Sequence, residues 1–157
     1  MREILFRGKR IDNGEWVEGN YIHRTNFYGD PDDTHFITVD GDFDGDYYYV
    51  LYKVYPSTLG QYTGLKDKNG KRIFEGDILT WANMCDGMPP WYAAVKHGRY
   101  NCYFNCSCCD GVYEWYLEDA GSYIVVSNIH DNPELLKVKH DRITTLPDLR
   151  GRRKNHG

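Results

Sequence analysis

The chain has no apolar run approaching the roughly 20 residues that cross a bilayer as a helix, which argues against a helical membrane protein. Its first residues, Met1 to Gly8, contain no secretory apolar stretch and no cleavage signal, so the expected compartment is the cytoplasm. Five cysteines cannot close a complete set of disulfides, and an odd number fits reduced thiols. Long runs of helix-forming residues are scarce, and no repeat of 20 to 50 residues is present. No Ser or Cys carries the surroundings of an activated nucleophile. The segment Gly64 to Arg72 fails as a phosphate loop, because Asn69 stands where glycine is required and Arg72 where a hydroxyl is required. These absences remove the familiar catalytic constellations.

What is present is aromatic and turn-rich. Aromatics make up 15% of the 157 residues, with 14 Tyr and 4 Trp, and there are 16 Gly. Wide rings pack well on a pleated surface while their polar tips reach water, so this composition points to strands. At 41% apolar residues the chain can build a core, and its length fits one domain or one domain with an appendage.

The order of the elements follows from the turn signals. Ile4 to Phe6 reads as a strand, Asp12-Asn13-Gly14 as a turn and Trp16 to Ile22 as the returning strand. Phe36 to Val39 is a further strand, and Asp40 to Asp46 a polar loop. Tyr47 to Tyr55 is the longest strand candidate and stops at Pro56. Asn69-Gly70 and Glu75-Gly76-Asp77 are two closely spaced turns, which predicts a tight meander such as begins many small barrels. Trp91 to Lys96, Tyr100 to Phe104, Val112 to Leu117 and Tyr123 to Val126 alternate as strands do. Pro133 suits the first position of a short helix, with Asn132 or Asp131 as its N-cap. The expected fold is mainly β: an N-terminal β-hairpin region over 1–55, a small antiparallel barrel-like part, SH3-like or partly open, over 56–140 with one short C-terminal helix, and a basic tail over 141–157.

Arg2-Glu3-Ile4 with Phe6-Arg7-Gly8, the long block from Gly60 to Gly70, Ile73-Phe74-Glu75-Gly76-Asp77-Ile78 and Asn128 to Leu136 together resemble the YopX-like family of phage and prophage proteins. The blocks run in the family's order and span residues 2 to 136. The resemblance implies a bacterial cytoplasm, a phage or prophage origin and a mainly β fold. It carries no activity and no catalytic residues. The stretch from Asn83 to Tyr116 matches none of the family's blocks.

Four groups of residues carry candidate chemistry. Asp40, Asp42 and Asp44 with Gly45 fill the early positions of a calcium loop, but its twelfth position is Leu51 and no amphipathic helices flank it; a solvated acidic turn is the simpler reading. Cys102, Cys106, Cys108 and Cys109, near Cys85 and His97, have the softness zinc favours. Adjacent Cys108 and Cys109 point to opposite faces if extended, so reduced and partly buried thiols are the simpler reading. His130-Asp131 has the composition of an acid–base pair, against a turn histidine beside a capping aspartate. Arg150, Arg152, Arg153 and Lys154 could meet phosphates. Residues 137 to 157 hold seven basic against two acidic groups, a net +5, while the first 136 hold twelve against twenty-one, a net −9.

The expected function is a binding or assembly module that associates with protein, itself included as a homo-oligomer, without turnover and without a cofactor. The Tyr- and Trp-rich strands are the contact surface. The alternatives are a nucleic-acid-binding regulator using the basic tail and a metal-dependent enzyme using zinc or calcium.

Overall fold

The computed structural model describes residues 3–25, 34–43, 45–82, 91–97, 104–108, 114–117 and 120–137. Two antiparallel sheets account for most of them. The first contains β1 (Phe6–Lys9), β2 (Trp16–Arg24), β3 (Thr34–Phe43), β4 (Asp46–Lys53), β5 (Gly60–Lys66) and β6 (Arg72–Phe74), in the spatial order β4-β3-β2-β1-β5-β6. The second contains β7 (Asp77–Trp81), β8 (Ala93–His97), β9 (Phe104–Cys108), β10 (Glu114–Tyr116) and β11 (Tyr123–Asn128), in the order β10-β9-β8-β7-β11.

The predicted opening hairpin is present, its strand shifted to Phe6–Lys9. The predicted acidic loop is not. Asp40 and Asp42 lie in β3, opposite Tyr49 and Tyr47 of β4, and the pairing runs on to Phe43 and Asp46. Pairing with the strand-favouring tyrosines of β4 prolongs the ladder into a segment that composition alone marks as loop. The expected meander is also divided. β5 and β6 pair within the first sheet, and β7 leaves it to begin the second. The fold is mainly β as expected, and of the barrel-like forms expected for the C-terminal part it is the open one: neither sheet closes, and among the described residues β10 and β11 pair inward only. The short helix after Asn132 is a 3₁₀ turn, Pro133–Lys137.

The first sheet does curl. Val54, just past β4, forms an isolated bridge with Arg10, just past β1, and Ile11 N–H donates to Lys53 C=O at 3.0 Å. The curl draws Val54 and Ile37 fully inside, where Val54 packs on the bare backbone of Gly8. The main apolar core lies elsewhere. Ile73 from the first sheet joins Leu79, Ala93, Val95, Tyr123 and Val125 from the second, with Leu65 and Trp91 packed against them. One core spanning both sheets holds them in a fixed relation.

The crossing from β6 to β7 is the tightest point. Glu75 N–H donates to Gln61 C=O, Gly76 N–H to Val95 C=O, and Ile129 N–H to Gly76 C=O, at 2.9, 2.9 and 2.8 Å. Gly76 takes φ +83°, a left-handed conformation that costs an L side chain roughly 1–2 kcal/mol. Gly60 is required for space, since a Cβ there would strike the Glu75 carbonyl.

Asp67 ties the other end of this seam. It is buried, its Oδ1 accepts the N–H groups of Asn69 and Lys71 at 2.8 and 2.9 Å, and its Oδ2 accepts Val125 N–H of β11 at 3.0 Å. One carboxylate thereby shapes the Asn69-Gly70 turn and joins it to the second sheet. Replacement by alanine strands three backbone donors at a cost of about 1–3 kcal/mol each if none finds water. Asp67→Ala is expected to lower the free energy of unfolding by about 3 kcal/mol, read from the urea midpoint; Asn in its place, keeping one acceptor oxygen, should recover part of that loss.

Candidate functional site

Among the described residues, charged and aromatic side chains gather where β1, β2, the β6–β7 crossing and the segment after β11 meet. Arg7, on β1, is buried and crosses from the first sheet to Asp77 at the start of β7, Nη1 to Oδ1 at 2.6 Å. Asp77 is 1% exposed, and its Oδ2 accepts Phe74 N–H at 2.8 Å. The guanidinium lies between the Trp16 and Phe74 rings, 4.8 and 4.9 Å from their centroids. A planar, weakly hydrated cation suits such a slot better than an ammonium does. Burial raises the Asp77 pKa above the ordinary carboxylate value, and the Arg7 charge with the Phe74 N–H only partly offsets it.

One layer outward, Asp131 accepts Lys9 Nζ at 2.8 Å, Trp16 Nε1 at 2.7 Å and Asn128 Nδ2 at 2.7 Å. Burial would raise its pKa, but the hydrogen bonds from Lys9, Asn128 and Trp16 outweigh it and hold the group at about 2. Asn128 Oδ1 in turn accepts the N–H groups of His130 and Asp131, both at 3.0 Å. His130 sits 5.9 Å from the Trp16 ring and beside Gly76. Its pKa is lowered by burial first and then by the Arg7 charge, against the pull of Asp131.

This arrangement decides the chemistry of His130-Asp131. A carboxylate that activates a histidine must be free to meet its ring nitrogen. Here Asp131 takes its donors from β1, β2 and Asn128, none of them the His130 ring, so the carboxylate binds the seam together. Neither is Asp131 spent on the 3₁₀ turn as a cap. The cluster contains one buried and one more exposed complementary pair and serves as a clamp between the sheets.

The remaining candidates are scattered. Asp40 and Asp42 occupy alternate positions of β3, and Asp44 lies outside the described residues. Cys106 and Cys108 occupy β9 opposite Val95 and Ala93, while Cys85, Cys102 and Cys109 lie outside the described residues. Arg150, Arg152, Arg153 and Lys154 lie outside them as well. Among the described residues no three His, Cys, Asp or Glu side chains stand together as a metal site, and no helix is long and apolar enough to cross a membrane.

Sequence reasoning missed Arg7, Asp67 and Asp77. Asp67 has a local signal, since an aspartate two residues before Asn69-Gly70 is placed to bond the turn's own N–H groups. Arg7 has none, because its partner is 70 positions away along the chain.

A second feature is apolar. On the outer face of β2–β4, Ile22, Leu51 and Tyr49 are 38, 43 and 73% exposed. Ile22 pairs with Phe36 across β2–β3, and Leu51 stands one step along β4 from the Phe36–Lys53 row. Tyr48, on the opposite face, lays its ring over Gly41. Tyr49 has no such support and projects from the strand at the sheet's edge.

Two outcomes follow from the clamp. Asp77→Ala, which leaves Arg7 buried and unpaired, is expected to cost about 3–5 kcal/mol, whereas the double change Arg7→Met with Asp77→Leu should recover most of it; urea unfolding measures both. The depressed His130 pKa means that the unfolded chain binds the proton first, so stability falls as pH drops through about 6.5. The fall between pH 7 and 5 should be smaller in His130→Gln. Asp131 acts lower: its contribution is complete above about pH 4 and is lost as pH falls through about 2.

The family model described as YopX protein matches residues 5–137. A crystal structure of protein EF1440 from Enterococcus faecalis superposes with a TM-score of 0.53 at 26% identity, covering 87% of this chain and 99% of that one. No curated protein matches. The matched span takes in both sheets, Arg7, Asp67, Asp77 and the Asn128–Asp131 segment, and the chain belongs to the YopX family.

Proposed function

We propose that this protein is a non-catalytic binding or assembly module, an accessory protein of the phage or prophage setting that its family resemblance implies, which engages protein partners through the β3–β4 hairpin. The observation that carries this reading is the contrast between the seam and the hairpin. At the seam the charges are paired with one another: Arg7 with Asp77, which is buried, and Lys9 with Asp131 nearer the surface. At the hairpin Tyr48, Tyr49 and Leu51 are exposed beside Asp40 and Lys53, and Tyr49 is 73% exposed on an edge strand. Exposed Tyr and Leu on an edge carry a cost in solubility and aggregation, which a contact role repays. Aromatic residues of this kind dominate the energetics of protein interfaces.

The double change Tyr49→Ser with Leu51→Ser tests it. Both side chains are largely outside the core, so thermal stability should stay within a few degrees. Association is expected to fall at least tenfold, read by light scattering of the purified chain and by quantitative recovery of partners on the tagged full-length protein from a bacterial lysate. Unchanged mass and unchanged recovery would remove the hairpin from the function.

A further inference from the structure

The backbone of β4 specifies what its edge accepts. Val54 N–H donates to His35 C=O at 3.0 Å, which makes that pair a hydrogen-bonded one in the β3–β4 ladder. Antiparallel ladders alternate, so the even residues of β4 turn their backbone groups toward β3. The odd ones, Tyr47, Tyr49, Leu51 and Lys53, turn theirs outward. Lys53 confirms the parity, because its C=O accepts Ile11 N–H from beyond β1. Among the described residues no strand meets the outward groups of Tyr47, Tyr49 and Leu51.

We propose that this edge pairs antiparallel with the same edge of a second copy of the chain, with Tyr49 on the two-fold axis. The inference rests on the binding-module reading and names the partner. Only residues of equal parity can exchange both hydrogen bonds across a symmetric pair, so the central position is itself an outward residue or the sum of paired positions is otherwise even. Sliding the register two residues toward the C-terminus sets Tyr47 opposite Lys53, whose carbonyl is already taken by Ile11. Sliding it the other way leaves Leu51 opposite the hairpin turn at Gly45. The register centred on Tyr49 uses all three free residues: Tyr49 opposite Tyr49, and Tyr47 opposite Leu51 twice.

Charge favours a second copy in the same register. Lys53 of one copy comes opposite Gly45 of the other, a position flanked along the chain by Asp44 and Asp46. The basic end of each strand thereby meets the acidic turn of its mate. The pairing also joins two first sheets into one and covers the Tyr49 rings against each other on the outer face.

Two substitutions separate the edge from the fold. Tyr49→Pro removes only an outward N–H, a change edge strands tolerate, so the β3 ladder persists. Tyr49→Cys places two thiols across a hydrogen-bonded pair about 5.5 Å apart at Cα, inside the disulfide range. Expected results are a twofold mass at high concentration in sedimentation equilibrium, its loss in Tyr49→Pro at unchanged circular dichroism, and a linked peptide in Y49C that maps to position 49. Val50→Cys, which faces Tyr48 of the second copy and lies on the other side of the sheet, should give no such link. A chain that sediments as a monomer throughout, with no Y49C link, overturns the inference. If in that case Tyr49→Ser with Leu51→Ser still strips recovered partners, the edge serves another protein and the binding reading stands; if it strips none, both fall.

Discussion

A single buried ion pair governs how the two halves of this chain meet. Arg7 reaches from the first sheet into a slot between Trp16 and Phe74 and finds Asp77 at the first residue of the second. Removing either charge leaves the other buried, and an unpaired buried charge is among the costliest defects a fold can hold. The pair therefore fixes the orientation of β7 at the point where the chain leaves β6. The tight crossing at Glu75-Gly76, the bare backbone at Gly60 and the Asp131 network all surround that pair and close it from water.

The division of labour in the molecule follows. Polar chemistry is concentrated inside the seam, where carboxylates accept backbone and side-chain donors and are consumed in doing so. Asp67 serves three N–H groups, and Asp131 three side chains. On the β3–β4 hairpin, by contrast, Tyr48, Tyr49 and Leu51 leave apolar and aromatic surface exposed. In this YopX-family chain the carboxylates of the seam are engaged by donors while Tyr49 and Leu51 of the hairpin face outward.

The local parts of the fold were legible in the sequence. Asp12-Asn13-Gly14, Asn69-Gly70 and Glu75-Gly76-Asp77 all turn the chain, because Gly14, Gly70 and Gly76 take positive φ, which glycine adopts without a Cβ penalty. The assignment of strands to sheets was not legible. Nothing in Arg72-Ile73-Phe74 states that it closes the first sheet while Asp77, three residues on, opens another. That depends on β5 pairing with β1, a contact between Phe6 and Gln61. The acidic hairpin misled for a related reason: its composition is that of a loop, and only the opposing tyrosines of β4 make it a ladder. The seam was half legible. His130-Asp131 stood out as a pair, but its role was set by Lys9 and Trp16, 122 and 115 positions from Asp131.

Those separations bear on how the protein comes to be folded at all. During synthesis the first four strands leave the ribosome long before Asp131 does, and they can curl and pair among themselves through local hairpins. Lys9, Trp16 and Arg7 must then wait, since their acceptors arrive with β7 and with the last turn. Closure of a loop spanning most of the chain is an entropic toll that comes late and all at once. The contacts of Asp131 with Lys9 and Trp16 are therefore the costliest loops in the seam to close, and they tie the finished fold to nearly the whole length of the described chain.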